Sequence, residues 1–244
     1  MQGVISNLDA DPMGRMILDY LDGDARAQVS VYSPHLEMAE MTGAMMCRSF
    51  HGMGKMEQRA LALCRGRILD VGAGSGCHSL YLQEKGEEVT ALDISPGCVA
   101  AMERRGVKHV LQESVFHLTG RHYDTLLMLM NGIGLCGNLE GLNRFFEILP
   151  TLLAPGGQVV TDSTNLAVYA CDDQQMPWEE DPEGWGAWET RFSVSYGDIR
   201  GEGFDWLYLD AKTLFYYANR HGFACNLIFQ GQDGEFLVQM VRKI

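Results

Sequence analysis

Apolar residues recur with helical spacing in the first sixty residues of the chain. A stripe of apolar positions runs from Met13 to Leu21, directly after Asp11 and Pro12, which are typical of a helix N-cap and first turn. The stretch 55–64 is rich in good helix formers. We therefore predict a helical N-terminal segment over residues 1–60, placed as a lid before the main domain.

From residue 67 onward, short β-rich runs alternate with amphipathic stretches. The β-rich runs read RILDV, EVTALD, VKHVLQ, YDTLLMLM and QVVTDS. Strands that alternate with helices at this spacing indicate parallel βαβ units with right-handed crossovers. The fourth run is almost wholly apolar, as expected of a strand that is buried on both faces. The pattern predicts a doubly wound, Rossmann-like α/β domain over residues 61–244.

The last third of the chain departs from this alternation. Residues 187–197 and 203–210 alternate apolar and polar positions around a turn, which predicts a β-hairpin inside an insertion at about 169–210. After a further helix, residues 224–230 and 235–243 predict an antiparallel pair that closes the sheet. The sheet is thus expected to have seven strands, mostly parallel, with an antiparallel C-terminal strand.

Composition and charge narrow the classes of function. The net charge of −13 disfavours nucleic acid as a partner, because nucleic-acid binders need a positive surface. No apolar run is long enough to span a membrane, and the N-terminus does not resemble a signal peptide. Seven scattered cysteines without a C-x-x-C pair indicate a reducing cytoplasm and no zinc site. We expect a small-molecule ligand, no metal and no membrane association.

Alternate glycines follow the first strand of the predicted domain. Gly72, Gly74 and Gly76 come directly after Asp70 and precede a helix. Such a turn lets backbone N–H groups face a ligand, and the helix N-terminus adds partial positive charge. A buried acid at position 70 would repel a pyrophosphate but attract an ammonium or sulfonium group. Asp93 ends the second strand, where a carboxylate can accept both hydroxyls of a ribose.

Taken together, ILDVGAGSG, VTALDIS, YDTLLMLMNGIG and LLAPGG resemble the class I S-adenosylmethionine-dependent methyltransferase family over about residues 55–165. The resemblance implies S-adenosylmethionine as cofactor and S-adenosylhomocysteine as product. The resemblance also implies a set of cofactor-binding residues, namely Asp70, Gly72, Ala73, Gly74, Gly76, Asp93, Ile94, Glu113, Ser114, Met130 and Asn131.

The roles implied by the family differ along this set. The glycines pass beneath the methionine part and the ribose, Asp70 faces the amino group, Asp93 holds the ribose hydroxyls and Ile94 lies against the adenine. Ser114, with Glu113 before it, stands where the family usually has an acid that contacts the adenine amino group. Met130 and Asn131 lie near the transferable methyl.

Several of these residues also have a purely structural interpretation. The glycines can serve tight packing, Asp70 can be a partner of the following helix, Asp93 can cap the next helix and Ile94 can belong to the core. Glu113 and Ser114 can be loop residues that contact no ligand. His78, in the first turn after the glycines, is expected to face solvent, with a contact to the cofactor carboxylate as the alternative.

The acceptor side offers weaker candidates and no assignable catalytic residue. The candidates for contact with the acceptor are Tyr20, Arg48, His51 and Trp185. Alternatively, Tyr20 serves packing, Arg48 forms a surface salt bridge, His51 occupies a surface position and Trp185 belongs to the hairpin core. Trp188 and Trp206 could join Trp185 in an aromatic wall. The methyl donor is already activated, so holding the reactants in line supplies much of the rate. A general base is needed only if the acceptor arrives protonated.

The sequence therefore predicts methyl transfer from S-adenosylmethionine to a small organic acceptor at O, N or C by in-line displacement. A non-catalytic protein that binds the cofactor or a metabolite is the main alternative. A nicotinamide-dependent oxidoreductase is disfavoured by the G-x-G-x-G spacing and by the antiparallel end of the sheet. The oligomeric state stays open.

Overall fold

The computed structural model describes residues 3–120, 122–169 and 186–243. The strands in chain order are β1 (Gln28–Tyr32), β2 (Ala39–Thr42), β3 (Arg67–Val71), β4 (Glu88–Asp93), β5 (Val110–Gln112), β6 (Tyr123–Met128), β7 (Leu153–Thr164), β8 (Ala187–Tyr196), β9 (Ile199–Arg200), β10 (Phe204–Leu209), β11 (Phe223–Gln230) and β12 (Glu235–Arg242). The α-helices are α1 (Pro12–Leu21), α2 (Gly43–Met46), α3 (Lys55–Leu63), α4 (Cys77–Glu84), α5 (Pro96–Arg105), α6 (Leu139–Leu152) and α7 (Ala211–Arg220). Short 3₁₀ turns occupy Leu8–Ala10, Phe50–Gly52, Gly132–Cys136 and Leu166–Tyr169.

A seven-stranded sheet forms the centre of the molecule, in the order β11-β12-β7-β6-β3-β4-β5. The pairs from β7 to β5 are parallel, and β12 runs antiparallel to both β7 and β11. Leu126 and Leu127 are fully buried on β6, one on each face of the sheet, which explains the continuous apolar run there. The predicted Rossmann-like sheet with its antiparallel C-terminal strand is confirmed.

The N-terminal segment is helical only in part. It contains α1 and α3 as expected, but Gln28–Tyr32 and Ala39–Thr42 form an antiparallel hairpin that the sequence analysis did not anticipate. Val29 and Val31 alternate with Ser30, and Val29 is fully buried, so the stretch has the pattern of a half-buried strand. This correction matters because β1 pairs with β8, a partner about 160 residues away in sequence.

The insertion contains the hairpin that was predicted. β8 and β10 pair antiparallel from Phe204↔Phe192 to Leu209↔Ala187, and together with β1 and β2 they form a second sheet in the order β10-β8-β1-β2. We call this second sheet the cap sheet. The N-terminal segment and the insertion thus meet in one sheet, while the division of the chain at residue 60 stays a prediction.

The Asp11 carboxylate joins the N-terminal segment to the start of α5 in the main domain. Asp11 caps α1 by accepting from the Gly14 N–H (2.9 Å), and it also accepts from the Ser95 hydroxyl (2.6 Å) and the Gly97 N–H (2.9 Å) at the start of α5. A Cβ on Gly14 would lie 2.6 Å from the Gly97 Cα, so both glycines permit a close approach of the two helices. Among the described residues, no helix combines the length and apolar character needed to cross a membrane.

Candidate functional site

The three glycines of the β3–α4 turn all have positive φ, but their surroundings differ. Gly72 (φ 69°) is exposed, and a Cβ built on it would meet nothing within 4 Å. A Cβ on Gly74 (φ 57°) would lie 3.0 Å from the Met46 Cε, and one on Gly76 (φ 77°) would press against Val107. Gly76 is therefore explained by packing and backbone conformation, whereas Gly72 borders open space.

Three N–H groups of this turn, which the sequence analysis expects to face a ligand, are bonded within the protein. The Gly72 and Ala73 N–H groups both donate to the Leu92 carbonyl (2.8 and 3.0 Å), and the Gly74 N–H donates to Asp93. These bonds join the carboxyl ends of β3 and β4. What the turn offers to a ligand is thus a bare surface at Gly72 rather than a set of free donors.

Asp93 lies at the carboxyl end of β4, partly exposed beside the glycine turn. Its Oδ2 accepts from the Gly74 N–H (2.8 Å) and its Oδ1 from the Ser95 N–H (2.9 Å). Burial raises the pKa of this carboxyl to about 6, against the hydrogen bonds that lower it. The N-cap of α5 is instead Ser95, whose hydroxyl accepts from the Cys98 N–H (2.9 Å), so Asp93 is not the cap of that helix.

Asp70 is buried behind the glycine turn, with 2 % of its surface exposed. It accepts a 2.6 Å hydrogen bond from the Ser79 hydroxyl in the first turns of α4, and burial raises its pKa. The described contacts of Asp70 are therefore those of a partner of the following helix.

Ile94, Glu113 and Ser114 lie together where β4 and β5 end. The Ile94 carbonyl accepts from the Ile5 N–H (3.0 Å), which brings the N-terminal residues alongside this edge. The Glu113 N–H donates to the Asp93 carbonyl (3.1 Å), and the Glu113 Oε1 accepts from the Ser114 N–H (2.8 Å). Ser114 is buried, while Ile94 and Glu113 are half-buried.

The turn after β6 has an unusual backbone at two consecutive residues. Met130 (φ 66°) and Asn131 (φ 56°) are the non-glycine residues with positive φ among those described. This conformation costs energy for residues with a side chain and persists where the surroundings hold it. Such a turn at the carboxyl edge of the sheet is a place where function and strain often coincide.

Asp162, which the sequence analysis did not single out, holds this turn. It is 4 % exposed at the end of β7, its Oδ2 accepts from the Asn131 N–H (3.0 Å) and its Oδ1 from the Gly132 N–H (2.9 Å). Burial raises its pKa to about 6. Asp162 could have been identified from the sequence as an acid at the end of the fifth predicted strand. This strand pairs with the strand that leads into the turn.

The Asn131 side chain binds the turn to the cap sheet. Its Nδ2 donates to the Leu207 carbonyl (3.1 Å), and its Oδ1 accepts from the Ser163 hydroxyl (2.9 Å) and the Thr164 N–H (3.2 Å). The Ser163 hydroxyl also accepts from the Leu209 N–H (3.0 Å). Because its amide forms these bonds to β7 and β10, the Asn131 side chain points toward the hairpin.

Arg48, Glu57 and His78 form a largely buried ion cluster next to α4. Glu57 contacts the Arg48 guanidinium, and its Oε1 lies 2.8 Å from the His78 Nε2. Burial opposes the charged form of Glu57, yet the bonds to His78 and Arg48 lower its pKa to about 2. Burial likewise opposes the imidazolium of His78, yet its bonds to Cys77 and Glu57 raise its pKa to about 10. The expectation that His78 faces solvent is wrong, since it is 5 % exposed.

The other acceptor candidates are dispersed. Tyr20 packs so closely on Gly43 that a Cβ there would lie 2.3 Å from the ring. His51 is exposed and lies edge-on to Phe50, with ring centroids 6.0 Å apart. Trp185 lies outside the described residues. None of these contacts brings Tyr20 or His51 to the glycine turn.

Arg105 fastens the N-terminal segment onto the glycine turn, a role that its place in a basic helix end did not suggest. Its Nη1 donates to the Ser75 carbonyl (2.7 Å) and its Nη2 to the Cys47 carbonyl (3.2 Å). The Ser75 hydroxyl donates to the Met46 carbonyl (2.5 Å). The end of α2 therefore lies over the turn, with Met46 in contact with Gly74.

Comparison with known proteins identifies what this arrangement is similar to. A family model described as a methyltransferase domain matches residues 68–157. The solved structure of a SAM-dependent methyltransferase from Bacteroides fragilis, in complex with S-adenosyl-L-homocysteine, has 37% sequence identity and a TM-score of 0.89, with 99% of each chain covered.

More distant structures share the fold. The CcbJ methyltransferase from Streptomyces caelestis has 15% identity and a TM-score of 0.57, covering 78% of this chain and 89% of that chain. The glycopeptide N-methyltransferase MtfA, complexed with (S)-adenosyl-L-methionine, has 17% identity and a TM-score of 0.56, covering 80% of this chain and 96% of that chain. At these identities the likeness concerns the fold alone. No match is found among curated proteins.

Proposed function

Because the chain belongs to the family of S-adenosylmethionine-dependent methyltransferases, we propose that its glycine turn and Asp93 hold the cofactor and that a small organic molecule accepts the methyl group. The protein is an enzyme that uses S-adenosylmethionine and releases S-adenosylhomocysteine. The proposal concerns the residues that bind this cofactor and the nature of the acceptor, which can be methylated at O, N or C.

The bare surface at Gly72 beside the Asp93 carboxylate is the observation that supports this most strongly. A Cβ on Gly72 would enter open space, and the residue is exposed at a turn where the neighbouring glycines are buried. The bond from Gly74 to Asp93 places a carboxylate on the same rim. A bare backbone next to a partly exposed carboxylate suits a ribose, whose hydroxyls need acceptors and whose ring needs room.

The remaining cofactor residues follow from their place on the same edge. Ile94 offers a half-buried apolar surface where β4 ends, and Glu113 and Ser114 offer polar atoms where β5 ends. Ala73, Gly74 and Gly76 shape the turn, and Asp70 lies behind it, bonded to Ser79 at the start of α4. Met130 and Asn131 form the wall after β6. We do not extend the proposal to the side chains of Tyr20 and Arg48, which packing and the ion cluster occupy.

When bound, S-adenosylmethionine supplies an electrophilic methyl on a sulfonium sulfur. The chain's own residues then have to fix the acceptor in line with that methyl, because positioning accounts for much of the rate of such a displacement. Asp162 holds the Met130–Asn131 turn, and Asn131 ties that turn to β10. The wall of the site is thereby rigid on the side where the acceptor enters.

Two properties of the chain support a small molecule as acceptor. The net charge of −13 opposes binding to nucleic acid. The cap sheet packs onto both the N-terminal helix and the turn after β6, through Val194 and Leu207 among others, and we take this packing to favour a small acceptor over a polymer.

Calorimetric titration with S-adenosylhomocysteine tests the cofactor site. We expect Asp93→Ala to weaken binding by about 1–3 kcal/mol, the cost of stranding polar partners. The matched control is Asp205→Ala, which removes an exposed carboxylate that pairs with Arg191 on the hairpin and should leave affinity unchanged. Unchanged affinity in Asp93→Ala would remove this residue from the site, and NAD should not bind to any of the three proteins.

A further inference from the structure

We propose that the acceptor is a neutral molecule with a planar aromatic ring, held against an aromatic patch of the cap sheet formed by Phe192, Phe204, Trp206 and Tyr208. This inference rests on the proposed function and deepens it by naming the class of acceptor. It follows from the composition of the patch, from its position beside the turn after β6 and from its hydrogen-bonding groups.

The aromatic patch occupies one face of the β8–β10 hairpin. The ring centroids of Phe192 and Phe204 are 6.1 Å apart, those of Phe192 and Tyr208 6.4 Å, and those of Phe204 and Trp206 5.8 Å. These four side chains pack against one another, but each of the four residues stays half-buried. A cluster of this kind leaves ring surface uncovered, and such surface favours offset or edge-to-face contact with another aromatic ring.

Trp206 lies directly beside the turn that follows β6. A Cβ on Gly134 would be 2.1 Å from the Trp206 Nε1 and 2.5 Å from the Asn131 Nδ2, so the absence of a side chain at Gly134 leaves room for both the indole and the amide. The same turn is fixed to the strand of Trp206 by the bond from Asn131 to the Leu207 carbonyl. The patch therefore begins at the end of β6, where the family places the transferable methyl.

An apolar connection links the patch to the glycine turn. Phe204 packs against a buried cluster that also contacts Met130 and contains Met46. The Met46 Cε in turn lies 3.0 Å from where a Cβ on Gly74 would be. The patch and the glycine turn thus pack against one apolar cluster, which fixes the position of one relative to the other.

The chemistry of the patch favours a neutral ring. Its four residues carry no charge. The charged residues of β8 and β10 lie on the opposite face, where Arg191 and Asp205 pair at 2.9 Å and Glu189 accepts from the Leu139 N–H. Among the described residues, neither the Trp206 indole N–H nor the Tyr208 hydroxyl has a hydrogen-bond partner. Burial raises the pKa of Tyr208 to about 12, so its hydroxyl stays a neutral donor. Aromatic walls with a few donors are typical of sites for small planar ligands.

The test measures binding of two probes to the protein saturated with S-adenosylhomocysteine. The probes are 2-naphthol and its saturated analogue decahydro-2-naphthol, which share a hydroxyl and a similar carbon skeleton but differ in aromaticity. We expect 2-naphthol to bind about ten-fold more tightly than the saturated probe, because only the former stacks on the patch. Equal affinities for the two probes would overturn the inference.

Variants locate the binding to the patch. Trp206→Leu should lower the affinity for 2-naphthol about ten-fold, while Tyr32→Leu, at an exposed aromatic residue on the other face of the cap sheet, should not change it. Tyr208→Phe keeps the ring and removes only the hydroxyl, so it tests the donor even if Trp206→Leu does not fold; we expect about three-fold weaker binding.

Failure of the aromatic patch and failure of the cofactor site would give different results. Binding of 2-naphthol that is the same in the wild type, Trp206→Leu and Tyr208→Phe would reject the patch as the acceptor site, provided that S-adenosylhomocysteine binds to all of them. Failure of S-adenosylhomocysteine to bind to the wild-type protein would reject the proposed cofactor site itself.

Discussion

The Gly74 N–H donates a 2.8 Å hydrogen bond to the Asp93 Oδ2, which joins the glycine turn after β3 to the end of β4. The bond fixes the Asp93 carboxylate on the rim of the turn, with Ser95 holding its other oxygen. An acceptor that is already oriented loses less entropy when a ligand hydroxyl arrives. The turn and the carboxylate therefore form one structural unit.

Gly72 and Gly86 allow a matched comparison of backbone strain and ligand contact. Both have positive φ (69° and 91°), and a Cβ on either would enter open space. We expect Gly72→Ala and Gly86→Ala each to lower the free energy of unfolding by about 1–2 kcal/mol, because alanine disfavours this backbone conformation. Only Gly72→Ala should weaken S-adenosylhomocysteine binding, by about ten-fold or more.

Urea denaturation and calorimetry measure the two quantities separately. If the two variants bind S-adenosylhomocysteine equally well, Gly72 does not contact the ligand, and its role is confined to the turn.

The pKa of Asp93 predicts how cofactor affinity depends on pH. Burial raises this pKa to about 6, so the carboxylate that accepts ribose hydroxyls is lost as the pH falls through 6. The affinity for S-adenosylhomocysteine should therefore be constant near pH 8 and decline by up to about ten-fold per unit well below pH 6. Asp93→Asn should bind weakly at every pH and show little of this decline. A wild-type affinity that is flat between about pH 5 and 8 would contradict the role of Asp93.

The same raised pKa affects the stability of the free protein in the opposite direction. The pKa of folded Asp93 lies above the ordinary value of 3.8, so the folded state binds this proton more tightly than the unfolded state does. The resulting contribution to the free energy of unfolding is present below pH 4 and is lost as the pH rises through 6. Asp93→Asn should not show this loss.

Glu57 is expected to stabilise the fold through the buried ion cluster. Replacing it by glutamine leaves Arg48 and His78 without their charged partner, and we expect a loss of about 3 kcal/mol in the free energy of unfolding near neutral pH. Glu103→Gln, on the exposed face of α5, is the control and should change stability little.

The difference between the wild type and Glu57→Gln should depend on pH in a defined way. The contribution of Glu57, with a pKa lowered to about 2, is present above pH 4.5 and lost as the pH falls toward 2. The contribution of His78, with a pKa raised to about 10, is present below pH 6.5 and lost as the pH rises through 10. The difference should thus be largest at about pH 5–6 and shrink on both sides. A difference that does not vary with pH would show that the cluster is not ionised as described.

Asp162 should stabilise the turn after β6 rather than the fold in general. Asp162→Asn replaces an acceptor oxygen by an NH₂ group, so one of the bonds from Asn131 and Gly132 is lost, at a cost of about 1–3 kcal/mol. The hydrogen exchange of these two amides should accelerate more than that of the β6 amides. Asp205→Asn serves as control, and uniform acceleration throughout the sheet would instead indicate a global loss of stability.

Local patterns were sufficient for the parts of the fold in which neighbours in sequence are neighbours in space. The strands and helices from β3 to β7, the hairpin of β8 and β10 and the αL position at Gly106 all follow from periodicity, caps and turn residues. Gly72 and Asp93 could be placed on one edge for the same reason, because parallel strands end together.

Contacts between distant segments could not be read in this way. The strand at 28–32 is five residues long and gains its partner β8 only after the insertion folds, so its pattern alone was too short to identify it. The burial of His78 depends on Glu57 and Arg48, which come from another helix and another loop. Asp162 acquires its role from backbone N–H groups of a turn whose dihedral angles the sequence does not reveal.

A crystal structure of the protein with S-adenosylhomocysteine bound would locate the cofactor site. We expect the nucleoside over the bare surface of Gly72, with both ribose hydroxyls within hydrogen-bonding distance of the Asp93 carboxylate and the sulfur directed toward the Met130–Asn131 turn. Density for the nucleoside elsewhere on the molecule, or a ribose turned away from Asp93, would contradict this expectation.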